Sequence, residues 1–465
     1  GATVVEHNPL YTAAELEPQF NDHGARIAIV LDRVADTFTS LSKSTPLETV
    51  VAVNMLEEVP LHLRAALSLP IPPVAKMRAE LTQPAPGALP WREFMRQRPR
   101  SVHFPRITQD TTAFILYTSG TSGKPKGAPL THGNVVAVLT AGMEWLEKWG
   151  AVREKVLGVL PMFHIYGLAL NYALPLTIGA QMVLVPAPKP KLYQAAITKT
   201  RPTVLPGVPT LYDAIIDWAV ATDADLSSIH TSISGASTLP AKTIERWEQA
   251  TGGRLIEGYG LTETAPCVAG NPLDGTRRPG YVGLPFPNTE IRIADPNNPA
   301  ETLPDGEAGE LLVRGPQVFS GYLNSPEANE RAFHDGWFRT GDMAVMDADG
   351  WIRLVARIKE MIITGGFNVY PDEVEGVMSN HPDIEDIAVV GRPRADGSED
   401  VVACVTLIDG SALDPDGLKA FARERLTRYK VPRDFYHFDQ LERDQTGKIR
   451  RREVRDTLLK LLTQP

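Results

Sequence analysis

From Thr112 onward, apolar runs of strand length alternate with helix-like stretches, and this alternation constrains the fold more than any other feature of the chain. It is typical of βαβ units and a mainly parallel sheet. Ligands of such sheets collect at the carboxyl ends of the strands, so we expect the chemistry in the polar and glycine-rich segments that follow these runs. The strand candidates are Ala113–Tyr117, Lys155–Leu160, Met182–Val185, Val204–Pro206, Ser232–Ser234 and Leu255–Tyr259.

The sequence changes in character after Pro279, where short strands separated by turns replace the alternating pattern. Asp347–Gly350 lies between two short apolar runs and predicts a hairpin. We therefore expect a small, β-barrel-like subdomain over 283–355. Its strand candidates are Glu290–Ala294, Gly309–Val313, Val345–Met346 and Trp351–Val355.

A third pattern begins near Lys359. Pro371 favours the start of a helix, and the strand candidates Ile387–Val390 and Val401–Ile408 follow it. This predicts a mobile α+β domain over 358–465, joined by a hinge to a large N-terminal domain over 1–357. The expected fold class is α/β, with α/β subdomains extending to about residue 282.

Composition excludes several classes of protein. The chain has 465 residues and two cysteines, Cys267 and Cys404, with no Cys-x-x-Cys pair. A disulfide framework and a zinc site of the usual spacing are therefore excluded, and a reducing cytoplasm is the expected compartment. The net charge of −9, from 47 basic and 56 acidic side chains, argues against a nucleic-acid partner. We interpret the basic run Lys448–Arg455 as a solvated helix face, with Val454, Leu458 and Leu462 turned inward.

The sequence leaves contact with a membrane open. The most apolar stretch, Val156–Pro186, is interrupted by proline, histidine and asparagine, which favours buried core over a membrane span. Leu61–Met95 is rich in leucine, alanine and proline and carries a few basic residues. It is either an ordinary loop and helix or a patch that contacts the inner face of the membrane. The oligomeric state is not indicated.

The sharpest local signal is the segment Tyr117–Gly127, which follows a strand candidate. Its hydroxyl groups, flexible backbone N–H groups and two lysines suit a polyphosphate ligand. It is not a Walker A loop, because Thr118 and Pro125 stand where that motif has Gly and Ser or Thr. The alternative interpretation is a mobile surface loop.

A second signal is Glu257–Thr264, at the end of another strand candidate. Gly260 allows a close backbone turn. Tyr259 is suited to stacking on a base, Thr262 to bonding a phosphate, and Glu263 to holding Mg²⁺. The alternative is a plain turn followed by a helix cap.

Three further segments are weaker alone. Trp337–Asp342 ends in Gly-Asp, and the Asp342 carboxylate suits the two hydroxyls of a ribose, although Gly-Asp is common in turns. Arg357–Pro371 lies where the pattern changes, so a hinge is expected at Arg357–Lys359. In Asp444–Arg450, Lys448 considered alone would be a solvated lysine.

Together, the five segments resemble the adenylate-forming superfamily of acyl-CoA synthetases, nonribosomal adenylation domains and beetle luciferases, over essentially the whole chain. NPLYTAAELEPQFNDHGA, GYGLTETAP and GGFNVYPDEVE resemble bacterial long-chain fatty-acid–CoA ligases most. Members of the superfamily begin some tens of residues earlier, so we expect that an upstream segment is absent from this chain.

The resemblance implies a two-step ligase whose partners are a fatty acid, ATP with Mg²⁺, and CoA. It also implies that the C-terminal domain rotates between the steps. The implied ATP- and AMP-binding residues are Thr118, Ser119, Gly120, Thr121, Ser122, Gly123, Lys124, Gly235, Ala236, Glu257, Gly258, Tyr259, Gly260, Thr262, Asp342, Arg357 and Lys448. The implied catalytic residues are Lys448, Glu263 and Thr262, the metal ligands Thr118 and Glu263, and the acyl-pocket residues His164, Tyr166, Gly207 and Gly235. The hinge is Lys359, and Gly365 and Gly366 shape the CoA side.

Two rival functions stay open. A fatty-acyl-AMP ligase would pass the acyl group to a carrier protein instead of CoA, and a non-catalytic relative would only bind the nucleotide. Lys448, Glu263 and Asp342 are all present, which argues against the second rival. Acyl chain length is not fixed by the sequence.

Overall fold

The structure, a computed structural model, describes residues 1–57, 59–97, 104–118, 125–146, 154–364, 367–394, 399–444 and 447–463. The chain forms two compact units. Unit 1 consists of Gly1–Gly133 with Phe319–Asn329, and unit 2 of Asn134–Val318 with Glu330–Pro465.

Unit 1 contains two small sheets. Its strands are β1 (Val4–Glu6), β2 (Ile27–Leu31), β3 (Thr49–Val53), β4 (Leu89–Pro90), β5 (Thr112–Thr118) and β6 (Lys126–Thr131). Its helices are α1 (Ala13–His23), α2 (Ala35–Leu41), α3 (Leu61–Leu67), α4 (Pro72–Leu81) and α5 (Trp91–Arg96). Strand β1 is parallel to β5, which pairs antiparallel with β6. The other sheet is parallel, in the order β2-β3-β4.

Helix α1 shows how local sequence positions the core of unit 1. A capping box starts it, because Thr12 accepts from the backbone N–H of Glu15 while the Glu15 carboxylate accepts from the N–H of Thr12. Its Leu16 and Phe20 are buried in one cluster with Phe38 of α2. Helices α3, α4 and α5, in contrast, bury none of their residues.

A seven-stranded sheet dominates unit 2, in the order β13-β12-β11-β10-β9-β7-β8. Its strands are β7 (Lys155–Gly158), β8 (Gln181–Leu184), β9 (Val204–Gly207), β10 (Thr231–Ser234), β11 (Arg254–Gly260), β12 (Cys267–Gly270) and β13 (Leu284–Pro285). The helices are α6 (His132–Trp145), α7 (Ile165–Gly167), α8 (Leu174–Ile178), α9 (Pro190–Thr200), α10 (Pro209–Thr222) and α11 (Ala241–Thr251). Five neighbouring strands of this sheet, β8, β7, β9, β10 and β11, are parallel to one another. Strands β12 and β13 join the sheet in antiparallel pairs.

The α/β prediction is confirmed, since every strand candidate before residue 260 lies within two residues of an observed strand. Burial explains why the apolar runs were a reliable guide. Trp247 of α11, Tyr212 of α10 and Leu205 of β9 are fully buried in one core cluster, so this sheet is covered by helices.

The next part of unit 2 is a five-stranded sheet in the order β14-β15-β17-β16, with β18 paired to β17. The strands are β14 (Glu290–Ala294), β15 (Gly309–Arg314), β16 (Phe333–His334), β17 (Trp337–Met346) and β18 (Ile352–Arg357), and helix α12 (Pro326–Ala332) precedes β16 in sequence. The predicted hairpin at Asp347–Gly350 is confirmed. The Asp347 carboxylate accepts from the backbone N–H of Trp351 at 2.9 Å, which closes the turn between β17 and β18.

An α+β arrangement completes unit 2. Its strands are β19 (Ile362–Thr364), β20 (Phe367–Val369), β21 (Ile384–Pro393), β22 (Glu399–Leu407) and β23 (Asp434–His437), and its helices are α13 (Pro371–Met378), α14 (Pro415–Arg425) and α15 (Arg451–Thr463). Strand β22 is buried on both faces. Val401, Ala403 and Val405 share a cluster with α13 and α14, whereas Val402 and Cys404 share one with α15.

Among the described residues, no helix combines the length and apolar character that crossing a membrane requires.

Candidate active site

The carboxyl ends of β9, β10 and β11 lie side by side in unit 2. In the parallel register, Gly207 is paired with Ser234, and Ser234 with Glu257. Gly260, at the end of β11, lies so close to the next turn that a Cβ would be 1.6 Å from the Pro266 carbonyl oxygen. A residue with a side chain would therefore displace the turn that carries Thr262 and Glu263.

A hydrogen-bonded chain links β11 to the second sheet of unit 2. The Tyr259 hydroxyl donates to Oδ2 of Asp342 at 2.6 Å, and Nε of Arg357 lies 3.1 Å from Oδ1 of the same carboxylate. Asp342 and Arg357 are directly paired across β17 and β18. Asp342 is only 5% exposed, so its charge is stabilised by Arg357 and not by water. Asp342 raises the pKa of Arg357, which keeps the guanidinium charged.

Lys448 joins this group from the C-terminal part of the chain. Burial lowers the pKa of Lys448, Arg357 lowers it further, and Glu360 and Asp342 raise it. Interactions of this kind place the ammonium group in the electrostatic neighbourhood of Asp342 and Arg357. The backbone N–H of Lys448 donates to Oδ1 of Asp444 at 3.0 Å, which holds the turn before Lys448.

Glu263 is buried, and its carboxylate also raises the pKa of Arg357. Thr262 lies in the same short 3-10 turn, Thr262–Thr264. Within the described part of the chain, no group of three or more His, Cys, Asp or Glu side chains forms a metal site. A carboxylate oxygen fits Mg²⁺, which proteins commonly bind through one or two carboxylates together with substrate phosphates. Glu263 therefore fits a magnesium ion that a nucleotide brings with it.

Tyr166 connects the residues predicted to line the acyl pocket. Its hydroxyl lies 2.6 Å from the carbonyl oxygen of Ile233 and 3.1 Å from that of Gly207, so it can donate to either. A Cβ on Gly235 would be 3.2 Å from the Tyr166 ring, so a side chain at this position would press on the ring. The next residue, Ala236, has a φ of 69°, a conformation that non-glycine residues seldom adopt. Such strain is typical of loops at functional sites.

His164 lies at the start of the helix that carries Tyr166. Its Nδ1 accepts from the backbone N–H of Tyr166 at 3.3 Å, so a neutral ring carries its hydrogen on Nε2. Burial lowers the pKa of His164, and the Asp444 carboxylate opposes this effect. The lowered pKa and the accepting Nδ1 are consistent with a neutral ring, which is suited to lining a pocket.

Glu257 faces the loop that follows β10. Its Oε1 accepts from the backbone N–H of Leu239 at 3.2 Å, and burial raises its pKa to about 8. The neighbouring Gly258 is paired with Gly270 in β12. Glu257 thus supports the loop that begins with Gly235 and Ala236 and is largely uncharged at neutral pH.

The comparisons with known proteins decide the family. The family model described as "AMP-binding enzyme" matches residues 1–323, and that of the "AMP-binding enzyme C-terminal domain" matches residues 373–448. The chain belongs to the AMP-binding enzyme family. The resemblance seen in the sequence is confirmed by these matches.

Several curated members of the AMP-binding enzyme family are similar over nearly the whole chain. The long-chain-fatty-acid–CoA ligase of Salmonella typhimurium is 37% identical over 98% of this chain and 81% of its own length. The enzyme of the same name from Bacillus subtilis is 36% identical with the same coverage. Among solved structures, ATP-bound MatB from Rhodopseudomonas palustris is 29% identical, with a TM-score of 0.83 over 99% of this chain and 84% of that one.

The site residues implied for this AMP-binding enzyme lie in several parts of the structure. Unit 2 brings Tyr259, Asp342, Arg357 and Lys448 together, and it joins Tyr166, Gly207 and Gly235 in a second cluster. Thr118 is the last residue of β5 in unit 1. Lys359 lies in the 3-10 turn Ile358–Glu360. Outside the described residues lie Ser119, Gly120, Thr121, Ser122, Gly123, Lys124, Gly365 and Gly366.

Sequence reasoning missed one cluster near Lys448. Arg451, at the start of α15, bonds Glu375 through Nε at 2.8 Å and also contacts Glu360 and Asp372. Its side chain is 11% exposed. The prediction of a solvated helix face is therefore wrong for Arg451. It is also wrong for Leu462, which is 44% exposed, whereas Val454 and Leu458 are buried as predicted. The sequence contains the three acidic partners, Glu360, Asp372 and Glu375, but only the fold places them around Arg451.

Proposed function

We propose that this AMP-binding enzyme is a fatty-acid–CoA ligase that works through an acyl-adenylate. In the first step a carboxylate oxygen attacks the α-phosphorus of ATP, the bond to the β-phosphate breaks, and pyrophosphate leaves. In the second step the sulfur of CoA attacks the acyl carbonyl carbon, the bond between that carbon and the phosphate oxygen breaks, and AMP leaves with the electron pair of that bond while the thiol proton passes to solvent. The curated relatives named above support this assignment.

The observation that carries the proposal is the group Tyr259, Asp342, Arg357 and Lys448, in which Asp342 is buried and the Arg357 side chain is 49% exposed. An anionic acid and a triphosphate repel each other, so the site must supply cations that are fixed before the substrates arrive. Arg357 and Lys448 supply two, and Asp342 keeps Arg357 in place at 3.1 Å. We assign Asp342 and Arg357 to the ribose, Tyr259 with Gly235, Ala236, Glu257, Gly258 and Gly260 to the adenine side, and Lys448 to the α-phosphate and the acid.

Binding of the phosphates is assigned to Thr118 and to the residues that follow it in the sequence, Ser119–Lys124, with Thr262. Mg²⁺ would be held by Glu263 and Thr118, and it would offset the negative charge of the phosphates. Tyr166, His164, Gly207 and Gly235 are assigned to the acyl pocket. The proposed domains are a large one over 1–357 and a mobile one over 358–465, with the hinge at Lys359 and with Gly365 and Gly366 on the CoA side.

The alternative function that these residues also support is that of a fatty-acyl-AMP ligase, because its first step needs the same Tyr259–Asp342–Arg357–Lys448 group. The test combines ATP and Mg²⁺ with acids from C2 to C20, with and without CoA. We expect pyrophosphate release that depends on the acid, and acyl-CoA when CoA is present. Pyrophosphate release without any acyl-CoA would favour the rival, and no release with any acid would refute both.

We also propose that α3, α4 and the residues around them contact an anionic membrane. Leu61, Met77 and Met95 are 82%, 54% and 60% exposed, although large apolar side chains normally avoid water. Within residues 61–96, basic side chains outnumber acidic ones, although Arg92 is paired with Glu57 at 2.9 Å; this excess complements an anionic lipid surface and contrasts with the net negative chain. The basic residues are Arg64, Lys76, Arg78, Arg92 and Arg96, and the described acidic ones are Glu80 and Glu93.

Flotation with vesicles tests this contact. Vesicles containing phosphatidylglycerol should retain the protein, and Leu61→Asp with Met77→Asp should abolish retention without loss of pyrophosphate release. Matched changes at Val220, which is 79% exposed in unit 2, should have no effect. Equal retention of all variants would contradict the proposed surface.

A further inference from the structure

Two histidines of unit 1 face each other at short range. His7 follows strand β1 and His23 ends helix α1, and their Nε2 atoms are 3.1 Å apart. The ring centroids are 5.2 Å apart. A pair of imidazoles at this distance requires one donor and one acceptor, so the hydrogen positions are constrained.

The neighbours of the two rings fix their tautomers. The backbone N–H of Ala25 donates to Nδ1 of His23 at 3.0 Å, so a neutral His23 carries its hydrogen on Nε2 and donates to His7. His7 then carries its hydrogen on Nδ1 and donates to Oε1 of Gln19 at 3.0 Å. Gln19 in turn donates to the carbonyl oxygen of Glu15 at 3.1 Å. All four ring nitrogens are thus used when both histidines are neutral.

The lowered pKa values of the two rings are consistent with neutral histidines in this network. Burial lowers the pKa of both His7 and His23 to about 4. An added proton on either ring would turn a hydrogen bond into two opposed N–H groups. No third His, Cys, Asp or Glu joins the pair to form a metal site within the described residues. The pair is therefore a neutral hydrogen-bonded clamp.

The clamp holds Tyr117, the penultimate residue of β5. The His7 ring stacks on Tyr117 with centroids 5.9 Å apart, and the His23 ring meets it edge-on at 5.9 Å. The Tyr117 hydroxyl donates to Oδ2 of Asp22 at 2.7 Å. On β6, Gly127 leaves room for the ring, because a Cβ there would be 3.2 Å from its Cζ. Tyr117 is therefore fixed by α1, by the residue after β1 and by β6.

We infer that His7 and His23 are positioning residues for Thr118, and that their mutual hydrogen bond sets the affinity for ATP through Tyr117. The inference rests on the proposed function, in which Thr118 contacts the phosphates of ATP. Thr118 follows Tyr117 directly and is paired with Lys126 across β5 and β6. A shift of the Tyr117 ring would move the end of the strand and with it the Thr118 hydroxyl. Positioning groups of this kind change binding without touching the ligand.

Two amide side chains at position 23, Gln and Asn, test the two hydrogen bonds of the His23 ring separately. Gln at position 23 reaches the place of the imidazole Nε2 and can still donate to His7. Asn reaches only the place of Nδ1, so it keeps an acceptor for the Ala25 N–H and loses the bond to His7. We expect His23→Asn to raise the KM for ATP about fivefold, the size of one neutral hydrogen bond. His23→Gln should stay within about twofold of the wild type.

The experiment measures acid-dependent pyrophosphate release, with the KM for ATP and for the acid determined separately, together with the Tm of each variant. The KM for the acid and the formation of thioester from ready-made acyl-AMP and CoA should not change. His437→Asn is the matched control, because His437 is an exposed histidine of unit 2. Calorimetric titration with Mg²⁺-ATP should give the same order of affinities.

The outcomes are distinct. An unchanged KM for ATP in His23→Asn, with a lowered Tm, would show that the pair is only structural and would overturn the inference. Equal increases in His23→Asn and His23→Gln would overturn it too, because the His7–His23 bond would then not be the cause. A wild-type protein that binds Mg²⁺-ATP but releases no pyrophosphate would refute the proposed function, while the calorimetric order of the variants would still decide the inference.

Discussion

The hydroxyl of Tyr259 donates a 2.6 Å hydrogen bond to the carboxylate of Asp342, and the two residues are 83 positions apart in the chain. The bond ties the end of a parallel strand to a strand of the next sheet. Because Asp342 also pairs with Arg357, the tyrosine helps to orient the Asp342–Arg357 ion pair. The site thus depends on contacts between the two sheets of unit 2.

Tyr259→Phe should therefore weaken ATP use without unfolding the protein. The change removes one hydrogen bond to a charged group, worth about 1.5–3 kcal/mol, which corresponds to roughly 10- to 100-fold in kcat/KM for ATP. Pyrophosphate release at varied ATP measures it. Tyr193→Phe, at a buried tyrosine of the main core, is the control and should have near-normal kinetics. Equal losses in both variants would contradict the role of the Tyr259–Asp342 bond.

Glu263→Gln should lower the adenylation rate by about 10²-fold or more, because it removes the charge that would hold Mg²⁺ while preserving shape. Glu154→Gln is the matched control, because Glu154 is also a buried carboxylate of unit 2 but contacts Thr203 and His230, which have no part in the proposed site. Near-normal pyrophosphate release by Glu263→Gln would remove Glu263 from the site.

Stability should fall as the pH drops from about 6.5 towards 4, through His7 and His23. Their pKa is 6.5 when unfolded and about 4 in the fold, so in this window the unfolded state binds more protons. For one fully buried histidine of this kind, the free energy of unfolding falls by about 1.4 kcal/mol per pH unit in this window, and the actual share of each is smaller because both rings are partly exposed. Burial raises the pKa of Glu6, which acts in the opposite direction. The other groups that face the pair are Tyr117 and Asp22.

Urea unfolding at pH 7 and pH 5 measures this effect. His23→Gln removes one titrating group and should reduce the stability difference between the two pH values, whereas His437→Gln should leave it unchanged. The difference between variants isolates the histidines from Glu6 and from every other carboxylate. An unaltered pH dependence in His23→Gln would mean that folding does not change the pKa of His23, which would contradict this prediction.

Local sequence patterns were sufficient to predict the strands of the sheets but not the contacts between the sheets. Strand β14 was predicted at its observed bounds, because its apolar alternation and flanking turns are local. The pairing of Asp342 with Arg357 follows from the hairpin at Asp347–Gly350, although its register shifts between Met343 and Ala344 and so could not be counted from the turn.

The errors and omissions share one cause. Arg451 belongs to a basic run that has the composition of a solvated face, and only the fold brings Glu360 and Glu375 around it. The His7–His23 clamp was likewise missed, since its members are 16 residues apart and neither matches a motif. The contacts of such residues depend on long-range burial and pairing, and a single sequence shows neither.

Lys359→Pro should separate the two half-reactions. Proline fixes φ near −65° and removes a backbone N–H, so a residue that must change conformation would be held in one state. If Lys359 is the hinge, we expect one half-reaction to lose at least about tenfold more than the other. Lys359→Ala, which keeps a free backbone, is the control and should affect both steps little. Similar losses in both steps for the proline variant would contradict a hinge at this position.

The last prediction concerns Lys448, whose ammonium group lies in the field of Arg357, Asp342 and Glu360. If it stabilises charge that develops on the α-phosphate, Lys448→Ala should slow acyl-AMP formation by about 10²–10³-fold, or roughly 3–4 kcal/mol. Lys448→Arg should restore it only in part, because a planar guanidinium does not replace a compact ammonium. Supplied with acyl-AMP and CoA, the alanine variant should form thioester at close to the normal rate. Lys430→Ala, at a lysine paired with Glu373, controls for the loss of a charge elsewhere in the C-terminal part. Normal adenylation by Lys448→Ala, or an equal failure in both steps, would show that Lys448 does not serve the first step alone.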